Sequence, residues 1–245
     1  MTIDIHAHYV PSALIARIRS AKGLGVEVLD GAQTPALTFE YGFKVRPFFP
    51  RLVEDVGQRI TWLDSEKIDY QLVATWPDIY GYGLPEEKCV AWHRLLNDTL
   101  AEWCDANSKR FGFVASVPLP NAANAAVEFR RAIDLGARGF MVPANVEGVN
   151  IGELPLDLLW AKANESGYPV IVHPVLVGAA LAAVVVDVEH VDAALGDPGR
   201  GAAGRDGVDH RRLDVRLGGG AASAGVAASA HVARPEVIEP AVLDE

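Results

Sequence analysis

The last 68 residues of this 245-residue chain contain no Phe, Trp, Tyr, Lys, Asn, Gln, Thr, Met or Cys. All five tryptophans lie at or before Trp160. Five residue types, Ala, Val, Gly, Asp and Arg, fill 50 of those 68 positions. A packed core draws on bulky side chains of varied shape, and aromatics bury the most area each. Ala and Val between Gly-rich breaks supply neither. The chain therefore divides into residues 1–177, which use the whole amino-acid alphabet, and an anomalous low-complexity tail, 178–245.

Other scarcities exclude whole classes of function. Two cysteines, Cys89 and Cys104, cannot build a disulfide framework, so a cytoplasmic location is expected. Only 22 Lys and Arg stand against 32 Asp and Glu, a net charge of −10. That balance excludes a general nucleic-acid binder and electrostatic adhesion to an anionic membrane. The longest apolar run, Val175 to Val186, has 12 residues including Gly178. A spanning helix needs roughly 18. The sequence starts at Met1 and enters a strand-like segment at once, so no leader peptide is expected.

What remains is an alternation of strands and helices. Residues 2–10 read as a strand, with Ile3, Ile5 and Ala7 alternating with Asp4, His6 and His8. Pro11 opens a helix-like run to Lys22. Short β-like pieces come next at 26–29 and 36–41, then a loop at 46–50. Helical periodicity runs over 51–66 through Leu52, Val56, Ile60 and Leu63. Further strands are expected at 70–75, 111–117, 139–143 and 168–173, separated by helices over 86–106, 122–135 and 156–166. The strand interiors are apolar on both faces, as in Leu72-Val-Ala74 and Val170-Ile-Val172, which is the pattern of a parallel sheet covered by helices. A doubly wound sheet and a closed barrel both fit. The first strand is followed by His-Ala-His-Tyr-Val-Pro and not by a Gly-rich phosphate loop, which argues against a dinucleotide site.

His6 and His8 are two apart on a strand, so period two sends both imidazoles to one face. In a closed β/α barrel that face is the interior, and the C-terminal end of the strand is the catalytic rim. His173 ends the fifth strand in the same manner. A barrel brings the ends of strands one and five to one mouth, where three imidazoles could share one divalent ion. A single histidine at a strand end is more often a hydrogen-bonded structural residue. The pair, its first-strand position and the matching fifth-strand histidine together favour the metal. His93, beside Trp92 in the long helix, reads as structural. His190, His210 and His231 lie in the anomalous tail without context.

The opening Ile3-Asp-Ile-His-Ala-His8, followed by Tyr9-Val-Pro11, resembles that of the amidohydrolase superfamily. More narrowly it resembles the branch typified by aminocarboxymuconate-semialdehyde decarboxylase. Further segments match in order: Trp62-Leu-Asp64, Leu95-Leu-Asn97, Arg110-Phe-Gly-Phe113, Val117-Pro-Leu-Pro120, Gly136-Ala-Arg-Gly-Phe140 and Pro169-Val-Ile-Val-His-Pro174. The resemblance covers about residues 1–177. It implies an α/β (β/α)8 TIM-type barrel with one catalytic divalent metal, usually zinc, held here by His6, His8 and His173. A fourth ligand would come from an Asp on the last strand.

Beyond residue 177 the chain departs from that pattern. The family places a catalytic His on strand six, directly before a Gly-Gly pair. Here the segment from His210 to Gly220 has the Gly run, but Leu217 stands where the His belongs. The segment from Ala230 to Glu236 faintly resembles the next stretch of the family pattern, and 178–208 has no match. Three origins fit: a flexible low-complexity tail, an unusual domain, or a GC-rich gene decoded partly out of frame. The third accounts for both the filler and the patches of resemblance. Reading the nucleotide sequence of this stretch in all three frames decides it. On this reading the barrel is incomplete, with about five good β/α units and exposed strand edges, so poor solubility or disorder is expected after residue 177.

The resemblance implies two reaction classes: decarboxylation of a small unsaturated or aromatic acid, preferred, and hydrolysis of an amide or lactone. A non-catalytic remnant is the third possibility. The expected partner is a small carboxylic acid, and the resemblance also suggests a homodimer. A carboxylate needs a cation, and Arg46 falls close to where the decarboxylase branch carries a substrate-binding Arg, with Arg51 as its neighbour. Either could equally be a surface arginine. Trp76 could form a pocket wall or pack in the core. Asp4 is placed by alternation on the face of His6 and His8, in a supporting position.

Overall fold

The computed structural model describes residues 1–175, apart from Ala32 and Pro120. It opens with β1 (Ile3–His8). Pro11 precedes α1 (Ser12–Ser20), its fixed φ suiting a helix start. An antiparallel hairpin, β2 (Val26–Leu29) and β3 (Ala36–Phe39), is inserted before the next helix. The helix expected over 51–66 divides in two: a 3-10 turn, Pro50–Leu52, and α2 (Val56–Ser65). Asp55 causes the division. Its backbone is extended, its carboxylate accepts from Gly57 N at 2.7 Å, and its own N–H donates to the Gln58 side chain at 3.4 Å. That reciprocal box starts a helix afresh.

β4 (Tyr70–Ala74) leads through a 3-10 turn, Pro77–Ile79, to α3 (Glu86–Ala106), whose bounds are those the sequence predicts. Next come β5 (Phe111–Val114), α4 (Ala122–Asp134) and β6 (Phe140–Pro143). Asn121 caps α4 by accepting from Ala123 N and Asn124 N, and Gly136 lies just past its end at φ +92°. A tight hairpin that alternation does not reveal, β7 (Asn145–Val146) and β8 (Val149–Asn150), turns on Glu147 and Gly148, both at positive φ. α5 (Asp157–Ser166) ends at the left-handed Gly167, and β9 (Val170–His173) completes the described elements.

β1, β4 and β5 form a parallel sheet in that order. A parallel bridge from Ala115 to Phe140 passes the sheet on to β6, which pairs in parallel with β9. Five parallel strands thus succeed one another in chain order, and a helix precedes each of the last four. This is the α/β architecture expected. The tail 178–245, with His190, His210, Leu217, His231 and the degraded strand six expected there, lies outside the described residues.

Alternation assigns the two faces of this sheet. Val73, Phe111, Phe113, Phe140 and Val142 point outward into the main core with Leu63, Leu100, Phe129 and Leu159 of the helices. Ala74, Val114 and Met141 point inward with Leu72 and Ile171. A second apolar cluster joins α1, the β2–β3 hairpin and the first half of α3 around Phe48, Trp76, Tyr80 and Trp92. Gly81 in that region sits at φ +67°, and a Cβ there would lie 2.6 Å from the Phe39 ring, so both conformation and space require glycine.

β1 is not a regular strand. Asp4 pairs with Gln71 and Ala7 with Val73, so three residue steps on β1 face two on β4. This β-bulge corrects the placement of Asp4. Gln71 and Val73 alternate outward, so Asp4 and Ala7 also face the helices, while His6 and His8 face the other way.

Candidate metal centre and adjoining cleft

His6, His8 and His173 meet at the C-terminal ends of β1 and β9, and one ring nitrogen from each lies within 4.8 Å of the others. The ring centroids are 4.9–5.2 Å apart. Each ring plane stands 75–87° to the other two, so edges and not faces converge. His8 Nε2 and His173 Nε2 are 3.1 Å apart.

The protonation chemistry suits a cation. His173 Nδ1 lies 2.6 Å from the Pro174 carbonyl, which can only accept, so Nδ1 carries the proton and Nε2 the lone pair. Burial, with His173 and His6 adding like-charge repulsion, pushes His8 down to about 4. Burial also lowers His173. Both rings are therefore neutral at pH 7, the form that binds metals. His8 Nδ1 is buried without a hydrogen-bond partner among the described residues. The His173 Nε2 lone pair faces His8 Nε2 across 3.1 Å, and the two nitrogens can share either a proton or a cation, so the donor set fits a divalent ion.

A cleft of about 430 Å³ adjoins this cluster. Its walls include Tyr41, Phe43 and Tyr82, together with Arg46, Asp78, Pro143, Asn145 and Val175. Pro143 is the register partner of His173, and Asp78 is close enough to His173 for their charges to interact. Arg46 is exposed and stands over the Phe49 and Trp76 rings, 4.6 and 5.1 Å from their centroids. Its Nη2 is 3.4 Å from Asp78 Oδ2. Burial raises the Asp78 carboxyl above its ordinary value, and Arg46 and His173 oppose that rise. Trp76 is buried in the second core cluster, behind Arg46 and not on the cleft surface. Arg51 points elsewhere, over the Trp62 ring at 3.6 Å. Two buried groups on the cleft wall lack partners among the described residues: the Tyr80 hydroxyl and both amide atoms of Asn145.

His93 takes the structural role expected of it. It is fully buried, and its Nδ1 meets Ser116 Oγ at 2.8 Å. Asn97 bonds Ser116 on both sides, at 2.9 Å each, and donates to the buried Glu128 at 2.7 Å. The string fastens α3 and α4 to the end of β5. Burial lowers His93 to about 3, below the 6.5 of a free imidazole. The unfolded chain therefore takes up a proton first as pH falls. The stabilisation is complete above about pH 6.5 and declines from there toward pH 3, by at most about 1.4 kcal/mol per pH unit. Urea unfolding at pH 7, 6 and 5 is expected to show falling stability, with a shallower fall in His93→Gln.

Two residues of the site are not singled out by the sequence, Arg59 and Gln71. Arg59, on α2, is 3% exposed. It donates to Gln71 Oε1 at 2.8 Å, the His8 carbonyl at 3.0 Å, and Glu54 Oε1 at 3.1 Å. The available signal is its spacing: Arg59 falls three residues after Val56 and four before Leu63, on the apolar stripe of the helix.

A parallel strand-and-helix succession with three imidazoles at the strand mouths defines the barrel class whose catalytic centres lie at that rim. The amidohydrolase family model matches residues 3–200, and the chain belongs to that family. The match runs past the compositional break at 177. Over 121 residues the chain is 30% identical to 2-amino-3-carboxymuconate-6-semialdehyde decarboxylase of Dictyostelium discoideum, a match covering 49% of this chain and 34% of that protein. Among solved structures it resembles 2,6-dihydroxybenzoate decarboxylase from Rhizobium, with TM-score 0.52, 18% identity and coverage of 71% of this chain and 50% of that one. It also resembles 5-carboxyvanillate decarboxylase from Novosphingobium aromaticivorans, whose structure holds manganese and 4-hydroxy-3-methoxy-5-nitrobenzoic acid. There the TM-score is 0.54 at 18% identity, over 71% of this chain and 50% of that one. The fold is that of the amidohydrolase TIM-barrel enzymes. The chain spans about a third of the length of its curated relative and half of these structures. Among the described residues, no helix is long and apolar enough to cross a membrane.

Proposed function

We propose that the chain carries the metal-binding half of a decarboxylase, a carbon–carbon lyase acting on a small unsaturated or aromatic carboxylic acid. One observation carries this reading: three imidazoles converge beside a cleft that presents a guanidinium and aromatic walls. His6, His8 and His173 would hold one divalent ion, with zinc the first choice for an all-imidazole set. The ion, when bound, would polarise a substrate oxygen and stabilise negative charge developing there.

The chain's own residues would do the rest. Arg46 is pre-oriented by Phe49 and Trp76, and its planar fork suits a carboxylate. Asp78 competes for that fork in the free protein and yields it to substrate. Tyr41, Phe43 and Tyr82 offer ring faces to a planar acid. The Asn145 amide, without a partner among the described residues, can both donate to and accept from a ring substituent. In the reaction the bond from the carboxyl carbon to its neighbour breaks, carbon dioxide leaves, and the electron pair left on carbon takes a proton. The two unpaired, buried thiols, Cys89 and Cys104, are consistent with a cytoplasmic enzyme.

The test is carbon dioxide release from dihydroxybenzoates and carboxymuconate-type acids by the purified full chain loaded with zinc or manganese. Release that stops on chelation is expected, with KM raised at least about tenfold in Arg46→Ala. A metal-loaded chain that releases no carbon dioxide from any of these acids contradicts the decarboxylase reading. Turnover of amides or lactones instead would make it a hydrolase, and no turnover at all would make it a remnant.

A further inference from the structure

We propose that Asp4, Gln71 and Arg59 form a positioning relay that fixes the two β1 histidines for the ion by holding their backbone, not their rings. The inference rests on the reading that His6, His8 and His173 bind a metal. The bulge in β1 disrupts the ladder between Asp4 and Ala7, the stretch that contains His6. Asp4 Oδ1 accepts the His6 N–H at 3.1 Å, and Asp4 Oδ2 accepts from Gln71 Nε2 at 2.7 Å. The other end of the same amide, Gln71 Oε1, accepts from Arg59 Nε at 2.8 Å. Arg59 Nη2 then donates to the His8 carbonyl at 3.0 Å, and Nη1 is anchored by Glu54 Oε1 and the Arg51 carbonyl, each at 3.1 Å. One continuous chain of hydrogen bonds thus runs from the N–H of one ligand to the carbonyl of the other.

The chemistry of the relay admits one orientation. A carboxylate can only accept and a guanidinium can only donate, so the side chain between them must donate at one end and accept at the other. Gln71 does this, 1% exposed, with its register fixed opposite Asp4. The relay lies on the outer face of the sheet and the imidazoles on the inner. Its members therefore set where the two ring-bearing Cα atoms stand across the bulge. They are positioning residues.

The same logic supplies a swap. Gln71→Glu, equal in size, sets two carboxylates against each other. Adding Asp4→Asn restores a donor: the Asn amide nitrogen meets the new carboxylate, its oxygen still accepts the His6 N–H, and Arg59 keeps an acceptor. Zn2+ affinity, by competition with a chromophoric chelator, and the Co2+ absorption spectrum are measured on the full chain, together with metal-free melting curves. A loss of about 10–100-fold in Zn2+ affinity is expected for Gln71→Glu, with an altered Co2+ spectrum. The double variant is expected to return to within about threefold of wild type, as the relay regains its full set of contacts. Should Gln71→Glu not fold, Asp4→Asn alone, at a half-exposed position, carries the test, with the same direction of loss expected. A variant that melts lower but binds Zn2+ as tightly as wild type, with an unchanged Co2+ spectrum, overturns the proposal, as does a double variant no better than the single one. A wild-type chain that takes up neither ion overturns the metal reading itself, and the relay's purpose with it.

Discussion

His8→Ala is expected to lower divalent-metal affinity by more than about 100-fold, while the metal-free protein melts close to wild type. His8 is more buried than His6, and its Nε2 faces that of His173 at 3.1 Å. Removing it leaves two imidazoles, one on a solvent-exposed position, and deletes the ligand whose backbone is best anchored. The cost to the metal-free fold is small, because the lost ring is a polar group with two other imidazoles as neighbours and one buried nitrogen that has no hydrogen-bond partner among the described residues. The comparison with His93→Gln separates a ligand from a structural histidine: that change is expected to alter stability and leave metal affinity untouched. Equilibrium dialysis with Zn2+ or Mn2+ and a melting curve on each variant measure both. Equal metal affinity in wild type and His8→Ala contradicts the assignment.

Arg59→Met is expected to destabilise the chain by about 3–5 kcal/mol. The replacement keeps most of the apolar stem and deletes the charge. It strands Glu54, whose side chain is 16% exposed, together with the oxygen of Gln71 and the carbonyl of His8. Leaving one member of a buried, hydrogen-bonded charge pair costs far more than the pair contributes. Arg51, exposed and 4.0 Å from the same Glu54, provides the control: Arg51→Met is expected to cost under about 1 kcal/mol. Urea unfolding of both variants gives the two values. A loss below about 1 kcal/mol in Arg59→Met would show that the network is solvated and not structural.

Much of the site is legible in the sequence because its signals are periodic. His6 and His8 are two apart on a strand, His173 closes a run of apolar residues before a proline, and the structure brings all three rings together. The long helix and the four later strands are readable from three- and four-residue spacing and from short apolar runs. The bulge in β1 is not, because an alternating hexapeptide looks the same with or without an extra residue. That single step moves Asp4 from the imidazole face to the helix face. The β7–β8 hairpin has arms of two residues, too short for any alternation to appear. Arg59 and Gln71 stay hidden because each sits in an apolar pattern whose hydrophobic members dominate the reading. Both are the odd polar residue in that pattern, which is where a buried network leaves its mark. Trp76 suggests a pocket wall by its position at a strand end, and the structure places it behind Arg46, where its ring supports the guanidinium.

The most direct test of the metal centre is the metal content of the 245-residue chain, purified without chelators and measured by elemental analysis beside a His6→Ala/His8→Ala double variant. One zinc or manganese per chain in the wild type, and none in the double variant, is the predicted result. Absence of stoichiometric metal from the wild type after incubation with either ion, or equal metal in both proteins, would contradict it.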